Sequence, residues 1–302
     1  MIQMRFAFID DFIPAVVAGD RVIEVADLLE PIPRLRPQDV LVGLAARFDE
    51  FRGPLEAAAR DREGRPMDSV RFRPPVPQPG KMVCMAGNYM ESGTIPEALD
   101  VDAFLKAPSS VIGSGDTVVL PDAPAEVFHH EAELGVVIGK RASKVRASDA
   151  LDHVFGYLNF MDVSARGINP NGNNSFWWQK SWDTFGPIGP WIVTTDDVPD
   201  PQKLDIKLWS DGELRHDFDT SDMARPISEV IEWVSNEVTL DPGDIIATGT
   251  NHRGLGPMQD GETVELEITG LGRLSVKVRD DLKRTWVRET VAEQEAREGT
   301  SH

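Results

Sequence analysis

Apolar and polar residues change rhythm along this chain, and the changes predict its elements. Over residues 4–29 short apolar stretches alternate with polar ones around the turn signal Gly19-Asp20, which predicts short strands. Over residues 40–61 the spacing becomes helical, with Ala, Leu, Glu and Arg prominent and Pro37-Gln38-Asp39 at the entry. Pro66, Pro74, Pro75, Pro77 and Pro79 then crowd a stretch that resists helix and central strand alike, so residues 66–80 read as a linker. Beyond it strand signals dominate. Residues 117–120, 134–138 and 191–194 are short apolar runs bounded by Pro or Gly. Residues 204–217 alternate around Asp211-Gly212, a hairpin signal, and residues 262–278 alternate again through Gly270-Leu271-Gly272. One helix stands out after Pro226, with Ile227, Val230, Ile231 and Val234 on one face. The reading is a strand-dominated α+β protein with no internal repeat. It comprises a small N-terminal domain (1–65), the linker (66–80), a larger domain (81–286) and a polar tail (287–302) that forms a surface helix or a frayed end.

Composition narrows the class. A chain of 302 residues, 41% hydrophobic and 27% charged, has the balance of a soluble globular protein and can bury a sizeable core without staples. The single cysteine, Cys84, excludes an internal disulfide and fits a reducing compartment. Asp10 and Asp11 interrupt the start where a signal peptide would be apolar, and no run approaches the roughly 20 residues that span a bilayer. A cytoplasmic protein with no membrane partner is expected. With 31 Lys and Arg against 50 Asp and Glu, the net charge of −19 also argues against nucleic-acid partners. An anionic substrate would need a local cation to be held in that field.

Four clusters carry candidate chemistry. In His129-His130-Glu131-Ala132-Glu133-Leu134, a strand would place Glu131 and Glu133 on one face, about 6–7 Å apart, where two carboxylates can chelate a hard cation. His129 shares that face as a further ligand or its support. Asn159-Phe160-Met161-Asp162-Val163-Ser164-Ala165-Arg166 offers Asp162 as a third carboxylate and Arg166 as a planar clamp for a substrate carboxylate, or else a structural Asp–Arg pair. Lys180 precedes Gly186-Pro187-Ile188-Gly189-Pro190, read as a rigid loop walled by Trp177, Trp178, Trp182 and Trp191, and is a candidate cation for an oxyanion. Gly243-Asp244-Ile245-Ile246-Ala247-Thr248-Gly249-Thr250-Asn251-His252 is a strand entering a Gly/Thr loop that suits anionic oxygens, without the ending of a phosphate loop.

These clusters, in this order and joined by Asp183 and Asp222-Met223, resemble the fumarylacetoacetate hydrolase family from about residue 82 to 278, and more weakly over the N-terminal part. The resemblance implies a mixed β-sandwich roll as the catalytic domain and a homodimer. It also implies a divalent cation, Mg²⁺ or Mn²⁺ with Ca²⁺ as a further option, held by Glu131, Glu133 and Asp162. Lys180, Arg166, Tyr89, Gly249 and Thr250 sit where the family meets its substrate, a small anionic keto acid. The family's water-activating histidine and glutamate are replaced here by Ser92 and Ile95. Gly167, Asn169 and Asn251 are further departures. Three readings follow. The chain is a hydrolase of acylpyruvate-like β-diketo acids whose base is Glu91 or His252. Alternatively it is a decarboxylase, dehydratase or isomerase of 2-keto acids on the same metal site, or a metal and keto-acid binding protein without turnover.

Overall fold

In the computed structural model, which describes residues 3–168 and 175–299, the strand Ala132–Ile138 is buried along its whole length. Its side chains alternate between two cores, as a period of two requires: Leu134, Val136 and Ile138 enter one, Val137 the other. A strand covered on both faces belongs inside a sheet between two layers. It pairs antiparallel with Val154–Met161 on one side and Ile245–Ala247 on the other. The sheet continues past Val154–Met161 through Gly186–Thr194, Arg5–Ile9, Ile13–Ala18 and Arg21–Glu24, and past Ile245–Ala247 through Met82–Ala86 and Asp102–Leu105.

Helices Pro37–Ala46 and Phe48–Asp61 cover one face, their Leu41, Leu44, Phe51 and Leu55 packing with Phe6, Phe8, Leu158 and Phe160. The other face meets a five-stranded sheet ordered Glu213–Asp219, Asp205–Ser210, Thr263–Ile268, Gly272–Arg279, Thr117–Val119. Ile206, Leu208, Leu266 and Val276 interlock there with Leu134, Val136 and Val193. The result is the expected strand-dominated α+β sandwich.

Several elements match their sequence signals. Asp211 and Gly212 both take positive φ, +48° and +79°, which suits the tight turn of the hairpin they join. The helix Ile227–Glu237 follows Pro226. The tail carries a helix, Val291–Glu298, opened by a Thr290/Glu293 capping box and closed by left-handed Gly299. Among the described residues no helix is long and apolar enough to cross a membrane.

Three expectations need correction. The single helix over 40–61 is two, broken at Arg47, and the bend lets both apolar stripes enter one core. The proline-rich stretch is stitched into the large sheet: Arg65–Pro66 pairs with Arg21–Glu24, and Phe72–Arg73 pairs with Arg5–Ile9. Pro66 is tolerated because it occupies the outermost strand of that sheet. Gly186 to Pro190 is no loop but the first half of the strand Gly186–Thr194. Its prolines are accommodated where the pairing with Val154–Met161 shifts register between Tyr157 and Asn159.

Candidate metal and substrate site

Strand register brings the acids together. Ala132 pairs with Met161 and Glu133 with Phe160, so the chain leaving Met161 runs beside Glu131, and Asp162 N–H donates to the Glu131 carbonyl at 3.0 Å. On the other side Gly135 pairs with Ala247, so Gly249 arrives beside Glu133 and its N–H donates to Glu133 Oε2 at 2.9 Å. Gly249 holds φ at +88°, and a Cβ there would sit 3.3 Å from that of Asn88, so glycine suits the position on both counts. Glu131, Glu133 and Asp162 are all buried, with one oxygen from each within 4.8 Å of the others.

Cations surround two of the three. Lys180 Nζ donates to Glu131 Oε2 at 2.6 Å and to Asp162 Oδ2 at 2.8 Å. Lys106 Nζ, also buried, donates to Asp162 Oδ1 at 2.6 Å and to the Val163 carbonyl at 3.3 Å. Arg166 pairs with Glu131 Oε1, which also accepts from Ser164 Oγ at 2.9 Å. Burial works to raise the Glu131 carboxyl, but Lys180 and Arg166 outweigh it and hold the group well below the ordinary range. Lys180 is likewise pulled down by burial, yet Asp162 and Glu131 raise it overall. Glu133 differs. Burial first, then Asp162 and Glu131, push it well up, and among the described residues its only hydrogen bond is the Gly249 N–H. Three buried oxygen donors with a deficit of positive charge at Glu133 fit a hard divalent cation.

A cavity of about 160 Å³ opens onto this cluster, lined by Glu131, Glu133, Arg166, Lys180, Thr250 and His252, with Phe104 and Phe176 stacked beside them at 4.5 Å. Thr250 Oγ1 is buried there with no partner among the described residues. His252 reaches the rim from the turn His252–Gly254 and pairs with Glu91: His252 Nδ1 lies 2.6 Å from Glu91 Oε1, and His252 N–H donates to Glu91 Oε2 at 2.7 Å. Glu91 and Ser92 both carry positive φ, +54° and +57°. That turn is held by Asp222, which accepts from the Ser92 N–H at 3.0 Å and from Asn251 Nδ2 at 3.1 Å.

The structure thus gathers Glu131, Glu133, Asp162, Arg166, Lys180, Thr250, Glu91 and His252 around one place. Others fall elsewhere. Tyr89 is 1% exposed and packs edge-on against Phe218, behind the cavity wall. Gly249 serves Glu133 through its backbone. His129 does not join the carboxylates; burial, then Arg166, lowers its imidazole to about 4. Trp177 and Trp178 face solvent, and the aromatic wall is Phe104 with Phe176 instead. Asp183 is exposed, and Asn169 lies outside the described residues. Lys106 is the residue the sequence reading missed; its one local signal is a lysine set between Phe104-Leu105 and Ala107-Pro108.

Comparison with known proteins gives this geometry a context. The sequence model of the family described as fumarylacetoacetate (FAA) hydrolase C-terminal matches residues 81–279. A crystal structure of maleylpyruvate hydrolase from Sphingobium sp. SYK-6, in complex with manganese(II) ion and pyruvate, superposes with a TM-score of 0.83 at 38% identity, covering 92% of this chain and 99% of that one. The maleylpyruvate hydrolase of Aquipseudomonas alcaligenes is 32% identical over 282 residues, 87% of this chain and 95% of the relative. The mitochondrial oxaloacetate tautomerase FAHD2A of Homo sapiens is 39% identical over 224 residues, 70% of this chain and 71% of the relative.

Proposed function

The chain belongs to the fumarylacetoacetate hydrolase family, and on that premise we propose that it is a divalent-metal-dependent hydrolase cleaving a carbon–carbon bond in an acylpyruvate-like β-diketo acid. The observation that carries this reading is one buried cluster of three carboxylates and two cationic side chains, with a carboxylate-held histidine on the cavity that opens onto it. Mg²⁺ or Mn²⁺ held by Glu131, Glu133 and Asp162 would supply Lewis acidity toward the ligand's 2-oxo-carboxylate end. Arg166 and Lys180 provide the positive charge that holds that end against a strongly anionic protein.

The base is the pair Glu91–His252. A carboxylate can only accept, so the bond at 2.6 Å puts the proton on His252 Nδ1 and leaves Nε2 to take one from water. The resulting hydroxide attacks the distal carbonyl carbon, and Thr250 Oγ1 is a free donor for the oxygen that gains charge. The carbon–carbon bond then breaks, its electron pair passing to the pyruvyl fragment, and the proton returns to that carbon. The products are a carboxylic acid and pyruvate. Pyruvate is the ligand bound beside manganese in the Sphingobium relative, which supports the assignment.

Loss of the near-ultraviolet absorbance of an acylpyruvate, dependent on added Mn²⁺ or Mg²⁺, is the expected result. Inert acylpyruvates with turnover of oxaloacetate would replace hydrolysis by a decarboxylase, dehydratase or isomerase reading. Metal binding with no turnover of any keto acid would leave a binding protein.

A further inference from the structure

A second cavity, of about 360 Å³, borders His252. Its lining includes Thr94, Ile95, Pro96 and Leu99 from the segment that follows Glu91, whose carbonyl takes the Thr94 hydroxyl, and Val291 from the tail helix, together with Arg253 and Glu295. His252 lines both this cavity and the acidic one. We infer that the second cavity receives the distal acyl group of the substrate, and that it selects an uncharged alkyl or aryl chain over one ending in a carboxylate. The inference rests on the hydrolase reading above and adds the class of substrate.

Position comes first. In a β-diketo acid the carbonyl to be hydrated joins the pyruvyl end to the acyl tail. A ligand with its pyruvyl end among the acids and its tail in the second cavity passes His252 at that junction. The lining comes second. Ile95, Pro96, Leu99 and Val291 offer no hydrogen bond from their side chains, and Leu99 is more than half exposed, so a chain laid over them removes apolar surface from water. The charges come third. Arg253 Nη1 is 3.3 Å from Glu295 Oε2, and Glu91 is committed to His252, so the ionic groups at the edge already have partners. A second substrate carboxylate would have to share the Arg253 cation with Glu295 and lie beside two carboxylates, Glu295 and Glu91. The walls are also anchored. Val291 N–H donates to the Leu255 carbonyl at 2.9 Å, and Arg225 Nη2 donates to the Leu99 carbonyl at 2.7 Å.

The test uses uncleavable 2-oxo acids, titrated calorimetrically into the Mn²⁺-loaded full chain: pyruvate, 2-oxohexanoate, 2-oxooctanoate, phenylpyruvate and 2-oxoadipate. Affinity should rise up to about fourfold for each methylene that enters the cavity, and 2-oxoadipate should bind no better than pyruvate. Leu99→Asp and Val291→Glu, each at a site that is not fully buried, should lower the ratio of 2-oxooctanoate to pyruvate affinity at least tenfold. Pyruvate binding with no dependence on chain length, or a preference for 2-oxoadipate, overturns the inference while leaving the hydrolase reading intact. Failure of every 2-oxo acid to bind overturns both.

Discussion

Two buried polar clusters lie side by side in this molecule, and they meet in sequence at the adjacent residues His130 and Glu131. Glu131 turns into the cavity with Glu133, with Asp162 buried beside them. His130 turns away into a closed space with His216, His130 Nδ1 lying 3.2 Å from His216 Nε2. Lys180, Lys106 and Arg166 pair with Glu131 and Asp162, and Glu131 and Glu133 border a cavity. The histidines each leave one ring nitrogen without a partner among the described residues, and burial lowers both, His216 to about 3. They are packed from outside by glycines: a Cβ on Gly254 would come within 2.7 Å of the His216 ring. Burial of polar groups therefore does not by itself mark a reactive site. Charge compensation and an opening do, and the histidine pair has neither.

Removing Glu131 breaks the charged cluster outright. Glu131→Ala should abolish Mn²⁺ binding and lower metal-dependent turnover by at least about 10³-fold; retained activity would refute the ligand assignment. Lys106→Met should cost about 3–5 kcal/mol of stability in urea unfolding, because Asp162 loses a counter-charge in a fully buried place. A loss below about 1 kcal/mol would mean that Lys180 alone balances the site. His252→Ala should lower kcat by about 10²- to 10³-fold with little change in KM, as expected of a group that acts on water. Wild-type turnover there removes His252 from the mechanism.

The neutral cluster gives the smallest effect and a distinctive sign. The folded-state pKa of His216 lies below its unfolded value near 6.5, so the unfolded chain binds the extra proton. Stability is complete above about pH 6.5 and falls as pH drops toward 3, on the order of 2 kcal/mol by pH 5. Thermal unfolding between pH 7 and pH 5 should show at least this slope, and His216→Phe should reduce it by that share, with His130 and His129 carrying the remainder. An unchanged slope in the variant would mean that other groups carry the acid sensitivity.

Much of this was legible in the chain. Glu131, Glu133 and Asp162 lie within 32 positions and their strand context follows from local alternation, but local pattern left a structural role open and the family resemblance is what grouped the three. The hairpin at Asp211-Gly212 and the helix after Pro226 were readable from local pattern. Lys106 was not, because its meaning lies in Asp162, 56 residues away. The Glu91–His252 pair spans 161 residues; each residue could be named as a base, but no local signal joins them. The break at Arg47 was hidden because helical periodicity continues across it. Gly186 to Pro190 misled because a shift in sheet register, a tertiary feature, lets prolines sit in a strand.

The lysines on either side of Asp162 bear on how the protein is assembled. Because the polypeptide carries ammonium groups to neutralise two of its acids, closing the sandwich does not have to await a metal ion. Ion uptake then adds to stability only by mass action, as RT ln(1 + [L]/Kd). On the metal-dependent reading proposed above, a cell short of divalent ions would hold this protein intact and idle, ready to resume work when supply returns, with no need for new synthesis.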